Sequence, residues 1–274
     1  VNIFIHIVTC ILLYLFIKIT LEIRAPSCDS PDAGHVGHQY ETGRSMLPSI
    51  LAFAAAMLWA VHPVQTQAVT YVVQRMVSLA SMFYILSMLL YVKGRLAEGR
   101  VRIWALYGGS IISGMLAVGS KEIAATLPFF IVLYEWYFFQ DLSWAWLRRS
   151  LKYFLGAGII VAVLAFFYMG ASPLERILSG YTHRDFTLMQ RVLTEFRVVM
   201  LYISLLIVPS PSRLNLDYDF PLSYSLINPV TTLFSLAGIV GMVVLAIYLA
   251  KRHRLVSFCI LWFFGNLVIE SSVI

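Results

Sequence analysis

Apolar residues along this chain fall into blocks of helix length, separated by short polar punctuation. The first block covers residues 1–21, with His6 and Lys18 as its only acidic or basic side chains. Residues 22–46 are polar and rich in Pro, Gly, Asp and His, which predicts a loop. Further apolar helices are predicted over 47–61, 66–92, 103–118, 123–139, 151–169, 229–250 and 255–269. Pro63, just after His62, suits the first turn of a new helix. Residues 198–208 form a shorter block of about 16 Å at about 1.5 Å per residue. Before it, Leu188, Met189, Val192, Leu193, Phe196 and Met200 recur at three- and four-residue spacing, opposite Gln190, Arg191, Thr194 and Glu195. That pattern predicts an amphipathic helix lying on a membrane surface and running into the short block.

The composition explains so many apolar blocks. Of 274 residues, 60% are hydrophobic and only 12% charged, with mean hydropathy +0.81. A soluble domain carries about 25% charged residues. A cytosolic enzyme, a secreted disulfide scaffold and a disordered chain are excluded. The chain reads as an all-α polytopic membrane protein: a single membrane domain over 1–274 with about eight spanning helices and one short re-entrant or interfacial segment. Cys10, Cys28 and Cys259 are widely spaced and support neither a disulfide framework nor a zinc site. The net charge of +6 reflects loop Lys and Arg, and nucleic acid is not an expected partner. The start at Val1, without Met and inside an apolar block, is expected of a piece of a longer membrane protein.

Loop charge sets the orientation. Lys93, Arg95, Arg100 and Arg102 flank one connection. Arg148, Arg149 and Lys152 mark a second, and Lys251, Arg252 and Arg254 a third. The positive-inside rule places all three in the cytoplasm, together with loop 22–46. The His62 region, Lys121-Glu122 and residues 170–197 then face the other side. Parity fails if block 198–208 crosses, because the third basic loop would end up outside. A block of about 16 Å cannot cross about 30 Å of hydrocarbon. Block 198–208 is therefore expected to be re-entrant or interfacial, with 170–197 and 209–228 both on the outer side.

Charged and polar groups at a membrane boundary are costly and point to function. Gln67, Thr70, Gln74, Ser78 and Ser81 follow helical spacing behind His62 and form one polar stripe, with Arg75 beside it. The stripe either walls a polar cavity that offers Arg75 to an anion, or serves interhelical hydrogen bonding while Arg75 snorkels. Lys121 and Glu122 either hold a lipid phosphate or mark a turn. Asn215, Asp217 and Asp219 alternate and could ligate a divalent cation through oxygen, or form a solvated loop. An EF-hand is excluded, because Phe220 and Leu226 stand where its Gly and final Glu belong. Arg197 and Glu270 sit at the ends of apolar blocks, where a charge is commonly an interface anchor. His35 and His38 share a loop without Cys partners.

Several strings then carry a resemblance. His62-Pro-Val-Gln-Thr-Gln-Ala-Val69, Gln74-Arg75-Met-Val-Ser-Leu-Ala80 and Ser120-Lys-Glu122 with Leu127-Pro128 occur in order. Arg197 with Tyr202, Leu214-Asn-Leu-Asp-Tyr-Asp-Phe-Pro221, and Asn266 with Glu270-Ser-Ser-Val-Ile274 follow. From residue 47 onward the chain resembles the membrane half of the transmembrane and tetratricopeptide repeat-containing family of protein O-mannosyltransferases, in a bacterial-type variant. The resemblance implies a C-type glycosyltransferase fold. It implies a polyprenyl-phosphate-linked, mannose-like sugar donor and a protein or glycan hydroxyl as acceptor. It also implies an acidic residue in a first outer loop, upstream of Val1, and repeats after Ile274. Arg75, Lys121 and Arg197 are the expected contacts to the lipid phosphate. His62, Gln67, Gln74, Glu122, Asn215, Asp217, Asp219 and Glu270 are further residues of the active face, and no catalytic base is named among them. Gln65 and Gln67 stand where the family usually has a second His and a Glu, which weakens acid–base work there. The implied location is a bacterial inner membrane with the active face to the periplasm, or the endoplasmic reticulum in a eukaryote. Two other classes remain: a secondary transporter, and a non-catalytic membrane scaffold for repeats.

Overall fold

A computed structural model of the chain describes residues 1–24, 37–152, 155–156, 186–214 and 220–270. Its elements are helical: α1 (Asn2–Arg24), α2 (Gly37–Ala60), α3 (Thr66–Thr70), α4 (Arg75–Leu96), α5 (Arg100–Ser120), α6 (Leu127–Tyr134), α7 (Leu188–Ile207), α8 (Thr231–Leu249) and α9 (Arg254–Glu270). No strand occurs among the described residues. Five helical stretches there are long and apolar enough to cross a membrane. A sixth is added if the bent pair Met46–Ala60 and Pro63–Thr70 counts as one. The protein is an all-α polytopic membrane protein. The helix predicted over 151–169 falls mostly outside the described residues.

The chain forms two compact units, Val1–Val132 and Leu133–Ile274. In the first, α4 and α5 pack as an antiparallel pair through small residues. Ser87 Oγ donates to the Ser110 carbonyl at 2.8 Å, and Ser110 Oγ returns a bond to the Ser87 carbonyl at 2.9 Å. A Cβ on Gly94 would stand 2.8 Å from the Tyr107 ring, and one on Gly114 would stand 3.0 Å from Leu127. Close backbone approach of this kind holds helices together where lipid removes the hydrophobic drive. In the second unit, Tyr134, Tyr137, Phe138, Phe258 and Trp262 form an aromatic cluster. Tyr137 Oη meets Ser257 Oγ at 2.9 Å, which satisfies both buried hydroxyls.

Several boundaries differ from the apolar pattern. The polar stretch expected over 22–46 is shorter, because α1 runs to Arg24 and α2 begins at Gly37. The block expected over 123–139 opens as a 3₁₀ turn (Glu122–Thr126), and a π-helical turn (Glu135–Phe139) follows α6. The amphipathic stretch and block 198–208 merge into one helix, α7. A capping box starts it: Gln190 N–H donates to Thr187 Oγ1 at 3.3 Å, and Thr187 N–H donates to Gln190 Oε1 at 2.9 Å.

The largest correction is at 66–92. One continuous helix is expected there, but α3 stops at Thr70 and α4 starts at Arg75. Tyr71 is extended (φ −90°, ψ 128°), and its carbonyl accepts from Asn2 Nδ2 at 2.8 Å. Tyr71-Val72-Val73 has low helix propensity, and Asn2 rewards the break by taking the freed carbonyl. Gln67 and Thr70 thus lie on one helix and Ser78 and Ser81 on another, so the five polar residues are not one helical stripe. Ser78 Oγ still ties the pieces together, donating to the Gln74 carbonyl at 3.0 Å and reaching the Ala68 carbonyl at 3.4 Å.

Candidate functional site

One end of the first unit gathers six of the sequence-predicted residues. The N-terminus of α1, the C-terminus of α2, α3, the N-terminus of α4 and the C-terminus of α5 all lie there. His6 Nε2 sits 2.9 Å from the Ala60 carbonyl and its ring stacks on Trp59 at 4.8 Å, which fixes α1 against the end of α2. His62 caps the short 3₁₀ turn Pro63–Gln65: its Nδ1 accepts from Val64 N–H at 3.3 Å. Gln67 and Gln74 are half-buried, on α3 and at the cap of α4. Lys121 is half-buried and extended (φ −157°, ψ 140°) between α5 and the next turn, and Glu122 is exposed beside it. The basic residues Lys93, Arg95, Arg100 and Arg102 occupy the opposite end of the same unit, around the α4–α5 connection. Loop charge and helix packing therefore sort this unit into the same two ends.

Arg75 is the first residue of α4. Its Nε donates to Asn2 Oδ1 at 3.3 Å, while Asn2 Nδ2 donates to the Tyr71 carbonyl. This pair of bonds fixes the orientation of the Asn2 amide, since a flip would set donor against donor and acceptor against acceptor. Asn2 is only 8% exposed. Neither terminal nitrogen of Arg75 bonds any described residue. A cation at a helix N-terminus also stands at the positive end of the helix dipole. Both features favour an anion at this point.

Arg197 belongs to the second unit and is employed differently. Its Nη1 donates to the Pro221 carbonyl at 2.8 Å and to Ser223 Oγ at 3.2 Å, and the guanidinium lies 4.7 Å from the centre of the Phe220 ring. Ser223 and Thr232 are fully buried. Ser223 N–H donates to Thr194 Oγ1, and Thr232 Oγ1 donates to Ser223 Oγ, both at 2.9 Å. Six residues further along both helices, Met200 lies against Gly238. So α7 and α8 run side by side in the same sense. The chain passes Arg197, reaches Ile207, and is back beside Arg197 by Phe220. Arg213 Nη2 donates to Ser204 Oγ at 2.7 Å along the way back. The chain thus doubles back along α7 before α8 begins, and α7, at 20 residues, is longer than the block 198–208 from which a re-entrant segment was expected. At the other end of α8, Arg254 pairs with Asp141 and donates to the Tyr137 carbonyl at 3.2 Å. The turn at Asp141 and the third basic loop thus share one end of this unit.

Asn215, Asp217 and Asp219 lie outside the described residues, and of Glu270 only its place as the last residue of α9 is described. Among the described residues no group of three or more His, Cys, Asp or Glu could hold a metal ion. Sequence reasoning missed Asn2, because nothing local marks it. It missed Ser223 and Thr232 because lone hydroxyls carry no pattern. It also passed over Glu135, which is 6% exposed in the π-turn and accepts from Gln140 Nε2 at 2.7 Å. An acid inside an apolar block was a readable signal.

The fold defines a class: a polytopic helical membrane protein whose first unit gathers polar and charged side chains, Arg75 and Lys121 among them, at one end. Comparison with known proteins gives a distant relationship within that class. The chain is 26% identical over 210 residues to the human protein O-mannosyl-transferase TMTC2, covering 72% of this chain and 25% of that protein. It is 29% identical over 141 residues to the fruit-fly (Drosophila melanogaster) protein O-mannosyl-transferase Tmtc3, covering 49% of this chain and 14% of that protein. The matched region thus spans a quarter or less of each relative's length. No protein-family model and no solved structure matches the chain.

Proposed function

We propose that the chain is part of a membrane glycosyltransferase that takes a mannose-like sugar from a polyprenyl phosphate and passes it to a protein or glycan hydroxyl. The two relatives support the reaction class by their names. The observation that carries the reading is Arg75: a half-buried guanidinium held through Nε, with both terminal nitrogens uncommitted among the described residues. That leaves its fork of donors for phosphate oxygens, which it suits in geometry as well as charge. A polyprenyl phosphate leaving group gains charge as the sugar departs, so cations fixed beforehand stabilise the transition state. Arg75 and Lys121 take that role at the end of the first unit. Arg197, expected from the resemblance as a phosphate contact, is set apart in this reading: its Nη1 is spent on Pro221 and Ser223, and it fastens the returning chain to α7. His62, Gln67, Gln74 and Glu122 border the first-unit end. Asp217 and Asp219 serve the acceptor, the sugar or an ion, and Asn215 and Glu270 are further residues of the active face.

In this reading the first-unit end faces the periplasm of a bacterium, or the lumen of the endoplasmic reticulum in a eukaryote. The C-type fold, the lipid-linked donor and an acidic residue in an outer loop complete the enzyme.

A secondary transporter is the competing reading, and the broken helices at 61–63 and 71–74 favour it. Transporters place such breaks near the bilayer midplane. Here the second break is tied to Asn2, the first residue of α1, and so lies at the end of its unit. The deciding experiment measures glycan transfer by the full-length protein in its membrane. Arg75→Ala and Lys121→Ala should each cut transfer at least about tenfold at normal protein levels, as expected for loss of a preorganised cation. Unchanged transfer would overturn the assignment.

A further inference from the structure

We infer that Asn2 is a positioning residue: it sets the Arg75 guanidinium in the orientation that binds the lipid phosphate. The inference rests on the proposed phosphate role of Arg75. Asn2 lies in the first turn of α1, and Arg75 is 73 residues away in sequence. Asn2 is nearly fully buried, and its amide makes two bonds of opposite sense. The oxygen takes the Arg75 Nε–H, and the nitrogen gives to the carbonyl of Tyr71 at the helix break.

Each bond has a separate consequence. The bond to Tyr71 satisfies a carbonyl at the end of α3 and so helps place the start of α4. The bond to Nε restricts the guanidinium plane and occupies its Nε edge, so the end formed by the two terminal nitrogens is the one left for a phosphate. An arginine otherwise carries a large side-chain rotamer entropy into any complex it forms. Holding Nε in the free protein removes part of that cost before the phosphate arrives. Neighbouring bonds make Asn2 a firm support. His6, one turn further along α1, is fixed to Ala60 and Trp59, and Cys10 Sγ reaches the Ala56 carbonyl at 3.5 Å. The first turns of α1 are thus anchored to α2 independently of Arg75.

A structural role alone predicts a different result from a positioning role, and a double-mutant cycle separates them. The probe is farnesyl phosphate, titrated into the detergent-solubilised full-length protein. The variants are Asn2→Ala, Arg75→Gln and both together. Asn2→Ala should weaken binding about three- to tenfold, and Arg75→Gln about tenfold or more. In the Arg75→Gln background, Asn2→Ala should have no further effect. Asn2→Ser serves where Asn2→Ala fails to fold. It keeps a hydroxyl for the Tyr71 carbonyl but is too short to hold both partners, and it should weaken binding in the same Arg75-dependent way. If the Asn2 variants weaken binding equally in both backgrounds, or leave it unchanged while Arg75→Gln weakens it, the positioning role is overturned and the phosphate reading stands. If Arg75→Gln leaves binding unchanged, the phosphate reading falls, and this inference with it.

Discussion

Two arginines, one in each unit, show what separates a cation used for structure from one kept for a ligand. Arg197 spends Nη1 on the Pro221 carbonyl and the buried Ser223 hydroxyl and covers the Phe220 ring, so it fastens a returning chain to α7. Arg75 commits only Nε, to Asn2, and neither terminal nitrogen bonds a described residue. In the sequence each is a lone Arg among apolar residues, and charge alone does not tell them apart. What differs is how many of the five guanidinium N–H donors the fold has used. The lesson is that partner accounting, rather than charge or position, marks the ligand-seeking cation.

The largest expected effect tests the structural side of the contrast. Ser223 has no exposure and accepts from both Arg197 and Thr232. Ser223→Ala orphans the buried Thr232 hydroxyl, so it should cost about 2 kcal/mol of stability, within the usual ~1–3 kcal/mol for a stranded buried donor. Thermal unfolding of the full-length protein reads this. The double variant Ser223→Ala/Thr232→Val should recover part of the loss, because both partners then leave together. A negligible effect would mean that the hairpin is held by its apolar contacts, and the distinction between the two arginines would lose its structural half.

Arg75→Gln should behave in the opposite way. Its side chain gives the protein one hydrogen bond, so the loss of stability should stay near ~1 kcal/mol. The same change should cut phosphate binding about tenfold, which corresponds to about 1.4 kcal/mol. Thermal unfolding and phosphate titration on one sample give both numbers. A large unfolding shift without a binding change would reverse the roles given to Arg75 and Arg197.

The contrast also explains how much the sequence could reveal. Apolar blocks of about membrane length located α1, α5, α8 and α9 within a few residues, because lipid forces helices to satisfy their own backbone. Loop Lys and Arg set the α4–α5 connection apart from the other end of the first unit, since their cost in hydrocarbon is local to each residue. The break at 71–74 was not readable in this way. Its stabilising partner, Asn2, is 69 residues upstream of Tyr71, and no periodicity records it. For the same reason the stripe from Gln67 to Ser81 looked continuous. Thr187 and Gln190 at the start of α7 were readable as a capping box, yet the amphipathic pattern suggested two segments where one helix forms. Arg197 was visible as a charge at a block edge, whereas Ser223 and Thr232, which give it its structural role, were not.

The smallest expected effect comes from a third arginine, which tests whether partner number or partner burial matters. Arg254 pairs with Asp141 and donates to the Tyr137 carbonyl; its own side chain is 12% exposed, but that of Asp141 is 83% exposed. Asp141 also sits at φ 52°, beside Leu142 at φ 57°, where the π-turn ends and Leu142 N–H donates to the Trp136 carbonyl at 2.9 Å. Water competes for so exposed a carboxylate, and an ion pair of this kind is worth ~0–1 kcal/mol. Asparagine tolerates left-handed backbone about as well as aspartate, so Asp141→Asn removes the charge with little added strain. The change should cost under ~1 kcal/mol, and the difference from the unsubstituted protein should shrink further as salt is raised, because exposed pairs are screened. Thermal unfolding at low and high ionic strength checks both points. A loss as large as that of Ser223→Ala would show that an exposed partner can anchor a guanidinium as firmly as a buried one. The accounting that separates Arg75 from Arg197 would then have to count contacts regardless of burial.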